Sequence, residues 1–331
     1  MRRSQISNLR SQIPWGVLAW LCVASMAWGA AGPNEPAGQV VVVVVGAEGE
    51  PQYGAQFAQS ADLWQTACAK ARARFVGIGL DPGEAVADRT RLQEVLAAEA
   101  ADTARPLWLV LIGHGTYDGR TARFNLRGPD VSAQDLAEWL GPLTRPVAVI
   151  NTSPSSSPFL KALSGPGRVV MTATKSGFEQ SATRFGQALA AAVADPGADL
   201  DKDGQTSLLE AFLTASSRVR EGYAAEGRLL TEHALVDDNG DGLGTPADWF
   251  RGIRPVQKAG DGASLDGYRA HQVHLVYSPA ETRWPPDLRA RRDGLELEVM
   301  RLRDIKQTLS EEAYYTRLEA LLVEMARIYV Q

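Results

Sequence analysis

The chain alternates between short runs that are apolar at every position and longer stretches whose apolar residues recur three and four apart. Residues 39–45 include six consecutive valines, closed by Gly46. A β-branched run with no polar face predicts a strand buried on both sides. The runs over 107–112, 147–150 and 168–173 predict three more, and 76–80 a shorter one. Between them, Phe57, Ala61, Trp64 and Cys68 share one face of a helix over 54–75. Further helices are predicted over 89–101, 132–140 with Ser132 as its N-cap, 183–194 and 208–219. Strands alternating with helices at this spacing predict a three-layer αβα sandwich around a mostly parallel sheet. Ligands on such sheets sit beyond the carboxyl ends of the strands. Two polar loops leave buried strands at that edge, Gly113-His114-Gly115 and the stretch from Asn151 to Ser157.

The two ends of the chain follow different patterns. Residues 1–30 carry Arg2, Arg3 and Arg10 but no acid, then an apolar run from Ile13 that finishes in small residues near Gly29 and Ala30. A basic start, an apolar middle and a small-x-small exit predict a cleaved signal peptide, hence a secreted or periplasmic protein with no membrane contact after cleavage. An uncleaved N-terminal anchor is the alternative. Residues 31–38 read as a linker and 39–283 as the main domain. Trp284-Pro285-Pro286 then punctuates the chain. Beyond it Leu295, Val299, Leu302 and Leu309 mark one helix, and Tyr314, Leu318, Leu321, Met325 and Ile328 a second. Residues 284–331 therefore read as a helical hairpin. It either packs on the parent domain or offers a coiled-coil partner surface through 287–331.

Composition narrows the partners. The formal charge of the 331-residue chain is −5. Losing the first thirty residues removes three arginines and deepens the charge. That opposes a general grip on nucleic acid. The same cleavage removes Cys22 and leaves Cys68 alone, so no internal disulfide holds the mature chain. Cys68 lies on the apolar face of its helix, where a free cysteine serves as a small hydrophobe.

The strand ending in Gly113-His114-Gly115, followed by the strand ending in Asn151-Thr152-Ser153-Pro154-Ser155, resembles the caspase–legumain superfamily of cysteine peptidases. Ala61, Asp62 and Cys68 on the first helix, and Thr172 to Gly177, are similar to the legumain branch. The resemblance implies a caspase-like sheet over roughly 39–250, His114 as acid and base, Gly115 as an oxyanion donor, and Ser153 at the nucleophile position. A serine there departs from the family. A thiol is acidic enough to yield thiolate beside an imidazole, whereas a hydroxyl needs a base oriented by a third group. Asp118 and Asp130 are candidates for that group by proximity in sequence alone. The site therefore reads as a degenerate pseudopeptidase cleft. The alternatives are a hydrolase with Ser153 as nucleophile and His114 as general base, and an α/β protein outside this superfamily. Ser155, Ser156 and Ser157 compete for the nucleophile assignment.

Two aspartate-rich loops carry the remaining chemistry. From Asp199 to Glu210, oxygen ligands recur at Asp199, Asp201, Asp203, Gln205, Ser207 and Glu210, with Gly204 at the turn. This is a calcium-loop pattern: calcium takes six to eight oxygens, and the final glutamate supplies two. The bland alternative is an acidic turn before a helix. The second loop offers Asp237, Asn239, Asp241, Thr245 and Asp248. It is a weaker match, because Asp replaces Glu at its end. No organic cofactor is expected. His271 and His274 flank an apparent strand and point to opposite faces, so they are poor co-ligands; His233 belongs to no ligand cluster.

Overall fold

A computed structural model describes residues 38–330, apart from 82, 84, 85 and 261–263. The signal-peptide reading, and nearly all of the linker, lie outside the described residues. Residues 36–331 cluster as one compact unit, hairpin included.

The first half of the chain runs β1 (Val40–Val45), α1 (Pro51–Ala71), β2 (Arg74–Ile78), α2 (Asp88–Glu99) and β3 (Leu107–Ile112). A small antiparallel sheet follows, β4 (Gly115–Tyr117), β5 (Ala122–Phe124) and β6 (Val131–Ser132). Next come α3 (Ala133–Leu140), β7 (Val147–Asn151), α4 (Ser157–Leu163), β8 (Arg168–Thr172), α5 (Phe185–Ala192) and α6 (Leu208–Ala225). Short strands β9 (Leu235–Asp237), β10 (Thr245–Pro246), β11 (Phe250–Arg251) and β12 (Arg254–Pro255) precede α7 (Tyr268–Gln272) and α8 (Pro279–Thr282). The chain closes with α9 (Pro286–Asp304) and α10 (Glu311–Tyr329).

Seven strands form the central sheet in the order β10-β9-β8-β7-β3-β1-β2. The five from β2 to β8 pair in parallel, and β9 and β10 add antiparallel at one edge. The valine strand sits near the centre of the parallel set, with β2 on one side and β3 on the other. This explains why it carries no polar residue. Its side chains alternate between two cores. Val41, Val43 and Val45 pack with Trp64 of α1, Phe185 of α5 and Phe212 of α6. Val40, Val42 and Val44 pack with Leu92 of α2, Leu136 of α3 and Phe159 of α4. The result is the three-layer α/β sandwich that the sequence pattern requires.

Local chemistry sets the helix starts. Ser132 caps α3 through a reciprocal capping box with Asp135, and Ser207 caps α6 in the same way with Glu210. Cys68 is buried, and burial pushes its thiol up to about 12, so it is an inert core residue. The expected strand between His271 and His274 is corrected. His271 belongs to helix α7, and His274 meets Ser207 in an isolated bridge. Gly267, at φ 103°, starts that helix in a backbone conformation that favours glycine. The hairpin joins the rest of the unit through Tyr268, which donates to Asp304, and Gln272, which donates to the Asp293 carbonyl.

Candidate functional site

The topology opens a crevice at one place. β1 lies between β2 and β3, and after β3 the order continues away from it to β7 and β8. The carboxyl ends of β1 and β3 therefore flank a topological switch point. Glu48 lies just past β1, and His114 just past β3. They meet there: His114 Nε2 stands 3.1 Å from the Glu48 carbonyl oxygen. A carbonyl only accepts, so Nε2 carries the proton and Nδ1 is the basic nitrogen of the neutral ring. Tyr53 and Phe57, on the first turns of α1, stand edge-on to the imidazole with centroids 4.8 and 5.2 Å away. A backbone carbonyl and two aromatic rings thus orient His114.

Neither aspartate proposed for that role performs it. Asp118 accepts from the Arg120 and Thr121 amides and pairs with Arg123. Asp130 accepts from Asn125 Nδ2 and the Leu126 amide. The sequence carries little signal for the true partner, because any residue at position 48 offers the same carbonyl. The one cue is Gly49, which turns the loop at φ 66°.

Ser153 lies one strand over, past β7, which pairs with β3. Its side chain is fully buried. Its Oγ is 2.7 Å from Asn151 Oδ1 and 3.1 Å from the Pro154 carbonyl oxygen. Both are acceptors, so the single hydroxyl proton goes to one of them and not to His114. Asn151 Oδ1 also accepts the Ser153 amide at 3.0 Å, which fixes the amide orientation and leaves its buried Nδ2 without a protein partner. The other serines are accounted for. Ser156 Oγ accepts from the Ala173 and Thr174 amides. The Ser157 amide donates to Thr174 Oγ1. Ser155 takes the left-handed backbone at φ 56°, and its amide donates to the Glu179 carbonyl. Ser153 packs against the loop that holds His114.

That packing runs through Gly115. A Cβ at 115 would lie 2.3 Å from the Pro154 carbonyl oxygen and 2.6 Å from Ser153 Oγ. Only glycine lets the loops after β3 and β7 approach so closely. Gly115→Ala is expected to wedge them apart and cost about 1–3 kcal/mol, as overpacking does. Thermal melting of the variant against the parent protein measures this. On the far side, Glu179 Oε1 lies 2.6 Å from His233 Nδ1 and Glu179 Oε2 accepts the Lys175 amide, so His233 anchors the loop after β8. Gly177 in that loop presses on the Tyr117 ring.

The first aspartate loop gathers its carboxylates. Oxygens of Asp199, Asp201 and Asp203 lie within 4.8 Å of one another, the one such group of three among the described residues. Lys202 and Gly204 turn the loop at φ 67° and 92°. The loop amides of Lys202 and Gly204 donate to Asp199, and that of Gln205 to Asp203. Three converging hard oxygens suit calcium. The other expected ligands are engaged elsewhere. Gln205 Oε1 accepts the Ser278 amide. Ser207 caps α6. Glu210 is buried, with Oε1 accepting the Leu200 and Asp201 amides and Oε2 the Ser207 amide. It closes the loop onto the helix. His271 Nε2 stands 2.9 Å from Asp201 Oδ2.

The second loop repeats the hydrogen-bond ladder: the Gly240 and Gly242 amides donate to Asp237, the Asp241 amide to Asn239, and the Leu243 amide to Asp241. Thr245 is buried and donates to Asp266, while Asp248 is exposed in the turn after β10. Sequence reading missed Asp238 and Asp266, which sit behind this loop. Asp238 accepts the Gly267 and Ala270 amides, and Asp266 the Asp238 amide. Burial, with Asp238 beside it, pushes Asp266 up to about 8. Residues 28 apart give no pattern that would reveal such a pair.

Among the described residues no helix is long and apolar enough to cross a membrane. No family model and no curated protein matches the chain. Among solved structures, it is similar to caspase-1 from Spodoptera frugiperda at 9% identity, covering 61% of this chain and 86% of that one, with a TM-score of 0.42. It is similar to the Drosophila initiator caspase Dronc at 12% identity, over 61% and 79%, with a TM-score of 0.38. A protein from Geobacter sulfurreducens gives 13% identity, over 55% and 89%, with a TM-score of 0.36. At these identities and TM-scores the likenesses say nothing about chemistry.

Proposed function

We propose that this chain is an exported pseudopeptidase of the caspase–legumain type, which holds a peptide or protein segment at its crevice without cleaving it and is steadied by calcium. The Ser153 hydroxyl carries the reading. It is fully buried and directed to Asn151 and Pro154, while His114 is held on the Glu48 carbonyl. Attack by serine needs its proton to pass to the base as the new bond forms. Here the hydroxyl points its proton at other acceptors, while only Nε2 of the imidazole is engaged. The oriented imidazole and the close glycine loop fit a peptidase-like cleft. The gathered carboxylates of Asp199, Asp201 and Asp203 support the calcium part, and the basic-then-apolar start of the chain supports export.

Incubation of the purified protein with a fluorophosphonate probe and with a peptide library tests the reading. The expected outcome is no label on Ser153 and no turnover above that of Ser153→Ala. Label or turnover lost in both Ser153→Ala and His114→Ala would establish the serine hydrolase instead.

A further inference from the structure

The amino ends of the sheet strands, opposite the edge that carries His114 and Ser153, border a second opening. It is a groove of about 880 Å³ between the starts of β1, β3, β7 and β8 on one side and the segment from α7 to α9 on the other. That volume is the size of a small-molecule pocket. Its walls are largely aliphatic, with Leu107, Val147 and Val169 from the strands and Val273 and Leu297 from the covering segment.

The sequence of α9 makes the room. Arg289, Ala290, Asp293, Gly294 and Leu297 form one stripe of that helix along the groove, and two of the five are small. A Cβ at 294 would meet nothing within 4 Å. Glycine inside a helix costs about 1 kcal/mol against alanine, and no close approach requires it here. The space it leaves is open to an occupant.

Charge selects the occupant. Lys70, Arg72, Arg269, Arg283 and Arg289 line the groove against one acid, Asp293, which is paired with Arg292. On a chain of net charge −5 this is a local reversal of sign. Among the described residues none of the five is in an ion pair. Arg283 and Arg289 donate to main-chain carbonyls, of Pro279 and Glu281. The charge of Lys70 reaches Asp195, which is paired with Arg218. Arg269 is the least committed. Its guanidinium makes no hydrogen bond among the described residues, and its Nε is buried. Its charge reaches Asp238, whose carboxylate accepts the Gly267 and Ala270 amides instead. Guanidinium groups bind carboxylates through two parallel hydrogen bonds. An aliphatic wall beside such groups fits an anion with a hydrocarbon tail.

We propose that this groove binds a single-chain aliphatic carboxylate, its tail along the valine and leucine walls and its head group among Arg269, Arg283 and Arg289. Such an occupant touches the sheet and α9 together and so ties the hairpin to the sheet.

Isothermal titration of the purified protein with decanoate, kept below its micelle concentration, tests this. Decanol and decyltrimethylammonium probe the head group. The expected result is one decanoate site, decanol binding at least tenfold more weakly, and no binding of the cation. Gly294→Leu is expected to weaken decanoate at least tenfold by filling the groove, while the ligand-free protein melts no lower, since leucine favours the helix more than glycine does. Should Gly294→Leu melt lower, Ala290→Leu, at an exposed position one turn earlier, carries the same test. Arg269→Gln is expected to narrow the preference for decanoate over decanol. No binding of decanoate at millimolar concentration, equal binding of decanoate and decanol, or binding indifferent to the groove-filling variant would overturn the proposal.

Discussion

Millimolar calcium is expected to raise the melting temperature, and chelator to lower it to a plateau. Three carboxylates held within 4.8 Å of one another repel in the absence of a cation and are relieved by one. A ligand that binds only the native state stabilises it by about 2.7 kcal/mol at a hundredfold excess over its dissociation constant. For a chain of this size that is a rise of roughly 4 °C. The structure also selects the variant that tests the loop. Glu210→Gln would strip acceptors from the Leu200, Asp201 and Ser207 amides and destabilise the protein with or without metal. Asp203 is exposed, and its carboxylate accepts from the amide and side chain of Gln205. Asp203→Asn is therefore expected to abolish the calcium response while leaving the metal-free melting temperature within a degree or so. Melting indifferent to calcium across the millimolar range would make the loop an acidic turn.

Arg145→Ala is expected to be the most damaging single substitution outside the apolar core. The Arg145 side chain has no solvent exposure, donates to Glu99 at 2.6 Å and lies 3.1 Å from Asp102. Glu99 is itself buried at the end of α2 and pairs also with Arg74 at the start of β2. Removing Arg145 takes the fully buried partner from both carboxylates and leaves them only the partly exposed Arg74 and Arg105, at a cost of about 3 kcal/mol. Urea unfolding measures it. Arg105→Ala is the control, because that side chain is partly exposed and pairs with Asp102 at the cluster's edge, where ion pairs contribute about 0–1 kcal/mol. Equal losses in the two variants would contradict this account.

The architecture was legible where burial alone dictates sequence. Strands β1 and β3 are apolar throughout, and β7 and β8 are apolar but for Asn151, Arg168 and Thr172 at their ends, because helices cover both faces, and all four end within a residue or two of the predicted limits. Ser132 as N-cap was legible because a side chain does the capping. The short strands β4–β6, β9 and β10 and the helix α4 were not. Their pairing comes from neighbours distant in sequence, and too few residues take part to set up a period. The site divides in the same way. His114, Gly115 and Ser153 could be placed at the carboxyl edge of the sheet because each follows a buried strand. The group that orients His114 was missed because it is a main-chain carbonyl. The direction of the Ser153 hydroxyl depends on Asn151, whose identity was visible but whose rotamer was not. The Asp199, Asp201 and Asp203 cluster was read from spacing. Glu210 was assigned to metal when its position three residues after Ser207 equally predicts a capping box.

The valine strand has a consequence for how the protein is made. β1 is complete at residue 45, but the two strands that cover its edges end at residues 78 and 112. Until both have emerged, Val40–Val45 presents an unpaired main-chain edge with valine on both faces and no charge. Such a segment stacks readily with copies of itself into cross-β aggregates. In the native sheet both edges are taken, so the hazard belongs to the nascent chain rather than to the folded one. A Lys placed at Val42 would break the stacking but sit among Leu92, Leu136 and Phe159, so the native core forbids the usual remedy. The protein must instead outrun aggregation by closing β1 between β2 and β3 early, which makes docking of β3 the step on which its yield depends.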